Sequence, residues 1–510
     1  MFFLVFLQFF TFCSPLNLPT VFGMVREAEE EFDYDLLVIG SGPGGQKAAI
    51  QAAKIGKRVA IIDYNPYVGG VCLHDGTIPS KSFREAILHL SGYRERTHYG
   101  RAYRVKNQVQ MSDLTKRSAW ITAEIEQTVR AQLLRNGIDV IEGIGSFMSE
   151  HEVRVKRESK EEIITGKYII IATGTRPRRP EGFEYDGEII LDSDGILHMD
   201  SIPKSICIVG GGVIGCEYGS MFSALGIKVT IVEALDRLLG FIERELVDNL
   251  VYTLRAQKAT IITSDRVTRT AVSPDGRAIT YLESGKRIVS QKLLISAGRI
   301  PNVEKLNLEL LKITTDERGY IPVNDSYQTS VPHIYAVGDV VGSPALASTA
   351  LEQGRMAACH AFNLAETQTP QILPFGIFTV PEIGTVGENE QQLSEKKVPY
   401  EIGIARYSEV DKGRIVGDTT GVLKILFHRH TRKVLGVHII GHEATEHIHF
   451  GQLIIAFEGT IDHIAHNIFN YPSICQAYKT AALDGLNKVI ATQNLPDELR
   501  DKDAVRSLIN

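Results

Sequence analysis

The sequence predicts an α/β fold with two doubly wound domains and a third, α+β domain on their carboxyl-terminal side. The doubly wound domains are predicted by two segments of the same design, each running from a buried strand through a glycine-rich turn and a helix to a second strand. The third domain is predicted by a change, from about residue 375, to short strands followed by helices. The chain has 510 residues, of which 44% are hydrophobic and 23% charged, so it is long enough for two or three domains with substantial cores.

The first unit has a buried strand over residues 34–39 and a second strand over residues 58–62, which Asp63 follows. In a dinucleotide-binding turn the first glycine permits the tight turn, the second lets the backbone approach a pyrophosphate, and the third lets the helix pack on the strand. The helix N-terminus attracts the phosphates. A carboxylate after the second strand can accept hydrogen bonds from ribose hydroxyls, and we expect Asp63 to do so. The three glycines are Gly40, Gly42 and Gly45.

The second unit repeats these parts, with strands over residues 205–209 and 228–232 and an acid at Glu233. In both units the acid follows the first glycine by 23 residues. A glycine-rich motif alone is often only a turn, whereas strand, turn, helix, strand and acid in register form a specific pattern. The chain is therefore expected to bind two dinucleotides. The glycines of the second turn are Gly210, Gly212 and Gly215.

Three further segments lie between the two units or after the second one. Residues 168–177 form a strand that runs into a turn, which we interpret as the hinge between two nucleotide domains. Residues 293–302 nearly duplicate that segment and are expected to cross back. A strand that ends on Asp339 follows. Each segment could be only a turn when taken alone, but their order favours a functional interpretation.

A segment after the first unit carries a family resemblance. Residues 69–81 read Gly-Gly-Val-Cys-Leu-His-Asp-Gly-Thr-Ile-Pro-Ser-Lys. This resembles the redox-active segment of the flavoprotein disulfide reductases, the family of dihydrolipoamide dehydrogenase and glutathione reductase, which reads Gly-Gly-x-Cys-x-x-x-x-Cys-x-Pro-Ser-Lys. Here Cys72 is kept, whereas Thr77 replaces the second cysteine. A hydroxyl cannot accept electrons as a disulfide does, so the exit through sulfur is closed. The resemblance covers residues from about 34 to 490.

The resemblance implies FAD in the first unit and a nicotinamide nucleotide in the second. It also implies an ion pair between Lys81 and Glu217 beside flavin N5, where a positive charge favours the reduced ring. The alternative is two unrelated surface charges. We expect Cys72 mainly to pack, with His74 as the one neighbour able to lower its thiol pKa. The further positions that the resemblance assigns to cofactor binding are Gly70, Cys72, Gly145, Thr173, Gly174, Gly298, Asp339 and Ala347.

The carboxyl-terminal part departs from the family as well. The family reads His-Pro-Thr-x-x-Glu there, and the histidine, from the neighbouring subunit, is the acid/base for the thiols. Tyr471 stands for that histidine and Gln476 for the glutamate, so we expect no thiol substrate. The pattern is similar to a branch of the family that transfers hydride between NADPH and NAD⁺ through FAD, without a protein nucleophile. The alternatives are an NADH oxidase or diaphorase, and a redox sensor that binds FAD and NAD(H) without turnover.

The preference between the two nicotinamide nucleotides stays open. The carboxylate of Glu233 repels a 2′-phosphate and so favours NAD(H) over NADP(H). Ala234 and Gly240 stand where NADP-preferring relatives usually have basic residues, which leaves Arg237 as the one close guanidinium. Arg237 either offsets Glu233 or is a solvated charge at a helix start.

Composition limits the partners and the compartment. The net charge of -6 and the lack of a polybasic run argue against nucleic acid and anionic membranes as partners. The six cysteines form neither a disulfide framework nor a zinc-ligand spacing, and the histidines lack metal-like partners. We therefore expect no metal and a cytoplasmic protein. The family resemblance implies a homodimer or a higher homo-oligomer.

The amino-terminal residues are unusual, because residues 1–12 are almost wholly apolar and no charge precedes Arg26. A secretory signal would need a basic start, and a membrane span needs about 20 apolar residues, so we favour an upstream start codon with Met24 as the working initiator. The expected domains are an extension outside the fold (1–32), an FAD-binding domain (33–175 and 299–370), an NAD(P)-binding domain (176–298), a dimerisation domain (371–495) and a tail (496–510).

Overall fold

The computed structural model describes residues 32–493 except residues 101, 159 and 365–371. The predicted tail, the proposed initiator Met24 and almost all of the predicted amino-terminal extension lie outside the described residues. The described part has the predicted α/β fold, with two mainly parallel sheets and a third, antiparallel sheet that packs against helices.

The first part of the chain builds a sheet around a buried central strand. β1 lies between β2 and β6 and is parallel to both, and its last four residues are buried. β4, β5 and the first half of β6 form an antiparallel extension. The elements are β1 (Tyr34–Ile39), α1 (Pro43–Ala53), β2 (Val59–Asp63), α2 (Gly70–His74), α3 (Thr77–Leu90), α4 (Arg96–Tyr99), α5 (Met111–Arg135), β3 (Asp139–Glu142), β4 (Ile144–Phe147), β5 (Glu152–Lys156), β6 (Glu161–Ile171) and β7 (Thr175–Pro177).

The second part forms an inserted domain with its own parallel sheet. Its strand order is β11-β10-β9-β15-β8, and β12, β13 and β14 form a separate antiparallel sheet of three strands. The elements are β8 (Ile190–Leu191), β9 (Ser205–Val209), α6 (Val213–Ala224), β10 (Lys228–Val232), α7 (Arg244–Ala256), β11 (Thr260–Ile262), β12 (Val267–Val272), β13 (Ala278–Leu282), β14 (Arg287–Ser290) and β15 (Lys292–Ile295).

The chain then returns to the first sheet through β16 (Arg299–Pro301), β17 (Ile334–Ala336) and α8 (Ala347–Ala361). β16 pairs with β7, so the outgoing and returning crossings lie side by side, as the near-duplicate segments predict. β17 extends the first sheet next to β6. α8 packs closely on α1, since a Cβ at Gly354 would lie 2.0 Å from the carbonyl oxygen of Gly44.

The last part is the α+β domain. Its antiparallel sheet has the strand order β18-β19-β22-β21-β20, and the helices α11, α12 and α13 share a core with it. The elements are β18 (Phe375–Ile377), β19 (Glu382–Gly387), α9 (Glu390–Glu395), β20 (Tyr400–Arg406), α10 (Asp411–Ile415), β21 (Val422–His428), β22 (Val434–Gly441), α11 (Ala444–Ala456), α12 (Ile461–His466) and α13 (Gln476–Gln493).

The predicted strand ends agree with the structure for β1, β9 and β10, whereas β2 is shifted by one residue. The side chain of Arg58 is 58% exposed, and its backbone N–H donates to the side-chain carboxylate of Asp35 on β1 rather than to a backbone carbonyl of that strand. Asp63, in contrast, is buried and ends the strand. In the ranges that the structure describes, helices long and apolar enough to span a membrane are absent.

Candidate functional site

The first glycine-rich turn has the geometry that a dinucleotide requires. Gly40 has a φ of +109°, and a Cβ there would lie 2.3 Å from the carbonyl oxygen of Ala172. A Cβ at Gly45 would lie 2.0 Å from the carbonyl oxygen of Gly40, so only glycine lets α1 start this close to the strand. Gly42 faces open space, with no atom within 4 Å of a Cβ position. That space leads to the N-terminus of α1, where unpaired N–H groups attract a pyrophosphate.

The second turn has the same geometry. Gly210 has a φ of +105°, and a Cβ there would lie 2.4 Å from the carbonyl oxygen of Ser296. A Cβ at Gly215 would lie 1.9 Å from the carbonyl oxygen of Gly210, and Gly212 again faces open space. The two turns therefore leave equivalent open space in front of α1 and in front of α6, and a helix N-terminus is a favourable position for a phosphate.

Each predicted ribose-binding acid also holds its own glycine turn in place. Oδ2 of Asp63 accepts the N–H of Ser41 at 2.7 Å, and Oδ1 accepts the N–H of Asn65 at 3.0 Å. Glu233 makes the equivalent contact, because its Oε2 accepts the N–H of Gly211 at 2.5 Å. Since a carboxylate has about four acceptor positions, both acids can still accept hydrogen bonds from ribose hydroxyls.

The segments that connect the first two domains, around β7 and β16, provide a buried polar surface. Oγ1 of Thr173 is buried and has no hydrogen-bond partner among the described residues, although nearly all such atoms in folded proteins have one. The neighbouring Gly174 has a φ of +64° and faces open space. The prediction that a strand ends on Asp339 is wrong, because β17 ends at Ala336 and Asp339 lies in the 3₁₀ turn that follows. Asp339 accepts a hydrogen bond from the hydroxyl of Thr175 on β7 at 3.2 Å. The unpaired hydroxyl, the open glycines and the carboxylate fit a polar cofactor such as FAD.

The remaining predicted cofactor positions differ in what they offer. Gly70 has a φ of +60°, and its Cβ position lies 2.9 Å from the Cα of Gly42, so it borders the first turn. Gly298 has a φ of +99° and faces open space, and Ala347 is the first residue of α8. Gly145 lies on β4, and a Cβ there would contact core side chains at 3.3–3.5 Å. Gly145 can therefore reach a cofactor only through its backbone.

Cys72 and Thr77 are neighbours in space. Cys72 lies in α2 and Thr77 is the first residue of α3. Burial raises the pKa of the Cys72 thiol, which a hydrogen bond from Thr77 and the charge of Lys81 partly oppose. The expectation that His74 is the one neighbour able to lower this pKa is wrong, because Thr77 and Lys81 lower it, while the His74 ring hydrogen-bonds the carbonyl oxygen of Val68 at 2.9 Å. The described residues therefore place one thiol beside a hydroxyl, which cannot form a disulfide.

Lys81 and Glu217 form an ion pair between the first and second domains. Nζ of Lys81, on the second turn of α3, lies 2.7 Å from Oε2 of Glu217, on α6. The Glu217 side chain is 5% exposed and the Lys81 side chain 25% exposed. The alternative of two unrelated surface charges is therefore wrong. Because the carboxylate is buried, the ammonium position is fixed more firmly than in a surface pair.

Phe378 of the third domain completes this contact, a role that its place in the sequence did not predict. Its backbone N–H donates to Oε1 of Glu217 at 2.9 Å. Its ring centroid lies 5.0 Å from Nζ of Lys81, within the range of a cation–π contact. Lys81 therefore lies at a junction of all three domains. The position of Phe378 next to a change in strand pattern was visible in the sequence, but its partner was not.

The carboxyl-terminal segment carries a tyrosine in place of an imidazole. Tyr471 is 65% exposed, and its hydroxyl hydrogen-bonds the carboxylate of Asp411, which raises the pKa of the phenol. Gln476 is the first residue of α13. Neither side chain can shuttle a proton near neutral pH as a histidine does.

Arg237 does not lie at a helix start, so that alternative is wrong. It lies in the loop between β10 and α7, where Nη2 donates to the carbonyl oxygen of Gly240 and to Oε1 of Gln391, the latter at 3.3 Å. Elsewhere in the described ranges, groups of three or more His, Cys, Asp or Glu side chains that could hold a metal ion are absent.

Two mainly parallel sheets, two glycine turns and an adjoining antiparallel domain define a class of nucleotide-binding oxidoreductase. Residues 34–354 match the family model described as pyridine nucleotide-disulphide oxidoreductase, and residues 373–482 match the dimerisation domain of the same family. The chain belongs to the pyridine nucleotide-disulphide oxidoreductase family.

Curated relatives are similar over nearly their whole length. The soluble pyridine nucleotide transhydrogenase of Mycobacterium tuberculosis (strain ATCC 25177 / H37Ra) is 47% identical over 461 residues, which cover 90% of this chain and 98% of that protein. The soluble pyridine nucleotide transhydrogenase of Enterobacter sp. (strain 638) is 40% identical over 464 residues, covering 90% of this chain and 99% of that protein.

Solved structures of the family have the same fold. LpdA from Mycobacterium tuberculosis superposes with a TM-score of 0.81 at 25% identity, covering 88% of this chain and 99% of that chain. The HOCl-induced flavoprotein disulfide reductase RclA from Escherichia coli superposes with a TM-score of 0.79 at 27% identity, with the same coverage. The predicted fold class and family are confirmed.

Proposed function

We propose that this protein is an FAD-dependent transhydrogenase that moves hydride between NADPH and NAD⁺. The observation that carries the proposal is the combination of two complete nucleotide turns with the partly buried Lys81–Glu217 pair and a Cys72–Thr77 pair that cannot form a disulfide. These residues thus provide two nucleotide turns and a fixed positive charge, whereas Cys72 and Thr77 do not provide the pair of thiols that a disulfide reductase uses. The curated relatives that carry the name soluble pyridine nucleotide transhydrogenase support the same function.

The first glycine turn would hold the FAD pyrophosphate, with Asp63 on the ribose, while Thr173 and Asp339 would donate and accept hydrogen bonds along the rest of the cofactor. When bound, FAD supplies the ring that takes up a hydride from one nicotinamide and returns it to another. The second turn would hold the pyrophosphate of NADPH or NAD⁺, with Glu233 on its ribose. No residue of this site forms a covalent bond in this proposal.

Lys81 would supply a fixed positive charge that stabilises the electron-rich state of the site. Glu217 keeps the ammonium in place, because one of its oxygens pairs with Lys81 and the other accepts the N–H of Phe378. The Phe378 ring lies over the ammonium and limits its contact with water. Two nucleotides held by rigid helix N-termini would bring the reacting atoms together without further chemistry by the protein.

The proposal includes the domain boundaries, with FAD bound by residues 33–175 and 299–370, the nicotinamide nucleotide by residues 176–298, and a dimer formed through residues 371–495. It also includes a homodimer in the cytoplasm that binds no nucleic acid, and transfer on the Si face of the nicotinamide. The net charge of -6 supports the absence of a nucleic-acid partner, and the family's dimerisation domain supports the homodimer.

The test is the anaerobic steady-state reduction of thio-NAD⁺ by NADPH with the purified holoenzyme. We expect sustained turnover without oxygen or a quinone. A rate that appears only with oxygen or a quinone would favour an NADH oxidase or diaphorase, and nucleotide binding without turnover would favour a redox sensor. For the stereochemistry, NADPH deuterated at the 4S position should slow flavin reduction, whereas NADPH deuterated at the 4R position should not.

A further inference from the structure

The loop that follows Glu233 is held by the third domain. This coenzyme loop, residues 234–243, connects β10 to α7. The carbonyl oxygen of Phe241 accepts Nδ2 of Asn389 at 3.3 Å, and Oε2 of Glu243 accepts the backbone N–H of Glu390 at 3.0 Å. Glu243 also pairs with the buried Lys424 at 2.9 Å. The end of the coenzyme loop is therefore anchored outside the nucleotide domain.

The start of the coenzyme loop is tied to the second glycine turn. The N–H of Leu235 donates to Oε1 of Glu233 at 2.8 Å, and the N–H of Leu239 donates to the carbonyl oxygen of Gly211 at 2.9 Å. Arg237 lies between these two contacts. Its guanidinium is thus carried by the stretch of chain that borders the proposed adenosine ribose.

The guanidinium of Arg237 has only neutral partners. Its Nη2 donates to the carbonyl oxygen of Gly240 and to the amide oxygen of Gln391, and no carboxylate of the described residues lies within 4.0 Å of it. The Gln391 amide is oriented by Glu395, which accepts its Nε2 at 2.9 Å, so that Oε1 faces Arg237. A guanidinium that bonds neutral acceptors gains more from a phosphate than from those acceptors.

We propose that Gln391 of the third domain is a specificity-determining residue that holds Arg237 in a resting position and releases it to the 2′-phosphate of NADP(H). With NAD(H) bound, Arg237 stays on Gln391 and Glu233 binds the ribose. With NADP(H) bound, the guanidinium exchanges the Gln391 amide for the phosphate and offsets the charge of Glu233. One site can thereby accept both nucleotides in turn. This inference rests on the proposed function.

The experiment is a double-mutant cycle on the oxidised holoenzyme, with NADP⁺ and NAD⁺ binding measured by calorimetry. Gln391→Ala removes the competing acceptor and should strengthen NADP⁺ binding about three- to tenfold, while NAD⁺ binding stays within twofold. Gln391→Glu should hold Arg237 more firmly and weaken NADP⁺ binding about tenfold. In an Arg237→Ala background the gain in NADP⁺ affinity from Gln391→Ala should disappear. The loss in affinity from Gln391→Glu should fall to the part caused by direct repulsion between the introduced carboxylate and the 2′-phosphate. Ser394→Ala, on the same helix but in contact with Tyr400, is the matched control.

Additive effects of the Gln391 and Arg237 substitutions would overturn the inference, as would equal changes for both nucleotides. If the wild-type enzyme catalyses the transhydrogenase reaction while the Gln391 variants keep the wild-type ratio of affinities, only the role of Gln391 fails. If the wild-type enzyme binds no NADP⁺, the proposed function fails together with it.

Discussion

Replacement of Lys81 by methionine tests the centre of the proposed site. The substitution removes an ammonium that lies 2.7 Å from Oε2 of Glu217 and leaves that carboxylate, whose side chain is 5% exposed, without a countercharge. Its other oxygen keeps the N–H of Phe378. The variant therefore has two separable effects: a buried charge without its partner, and a site without its fixed cation.

The two effects differ in size and in what reverses them. Removing one partner of a fully buried pair costs about 3 to 5 kcal/mol, and because Lys81 is one-quarter exposed we expect a loss of about 2 to 3 kcal/mol in the free energy of unfolding. Loss of an electrostatic stabiliser should lower the hydride-transfer rate by about 10²-fold and also lower the flavin potential. Adding Glu217→Gln removes the unpaired charge, so the double variant should regain most of the stability but not the rate.

Thermal denaturation of the holoenzyme, the flavin potential and the NADPH-dependent reduction of thio-NAD⁺ measure these effects. Lys57→Met is the matched control, because Lys57 also lies over an aromatic ring, at 5.3 Å from the centroid of Phe362, and is exposed. Its rate and potential should be those of the wild type. Recovery of the rate in the double variant would refute a direct role for Lys81, and a single variant with wild-type stability would refute the buried pair.

Three further predictions follow from single residues. Thr77→Cys puts a second thiol beside Cys72, so anaerobic titration should require four electrons per flavin instead of the two expected for the wild type; two electrons in the variant would contradict the proximity. Glu233→Gln should strengthen NADP⁺ binding about tenfold, with a modest loss for NAD⁺, and an unchanged ratio in calorimetry would place Glu233 away from the ribose. Burial lowers the pKa of His438 to about 4. Below pH 6.5 the unfolded chain therefore binds a proton that the folded protein does not bind, and the free energy of unfolding falls as the pH falls from about 6.5 to 4. His438→Gln should flatten this pH dependence in urea denaturation, whereas substitution of the exposed His449 should leave it as steep as in the wild type.

The sequence predicted the elements that depend on local pattern. The ends of β1, β9 and β10 were predicted because each is a short run of buried, mostly β-branched or aliphatic residues followed directly by glycine or an acid. The glycine turns were predictable for a similar reason, since the local motif spacing marks them and the positive φ at Gly40 and Gly210 favours glycine. These features need no knowledge of distant partners.

The contacts between domains could not be predicted in this way. Phe378 meets Glu217 across 161 residues of sequence, and Gln391 meets Arg237 across 154 residues. Such contacts depend on how the third domain packs against the second, and neither periodicity nor motif spacing in the sequence predicts that packing. The error about His74 has a local cause, because its ring hydrogen-bonds the carbonyl oxygen of Val68, six residues earlier, and the sequence does not show which way the ring turns.

The two half-reactions test the central claim most directly. In anaerobic stopped-flow, one equivalent of NADPH should bleach the oxidised flavin, with no long-wavelength band from a thiolate beside the flavin. Addition of NAD⁺ should then restore the flavin and form one NADH per FAD, with both steps at least as fast as steady-state turnover. A flavin that NADPH reduces but NAD⁺ cannot reoxidise, and that returns to the oxidised form only with oxygen or a quinone, would contradict the transhydrogenase function.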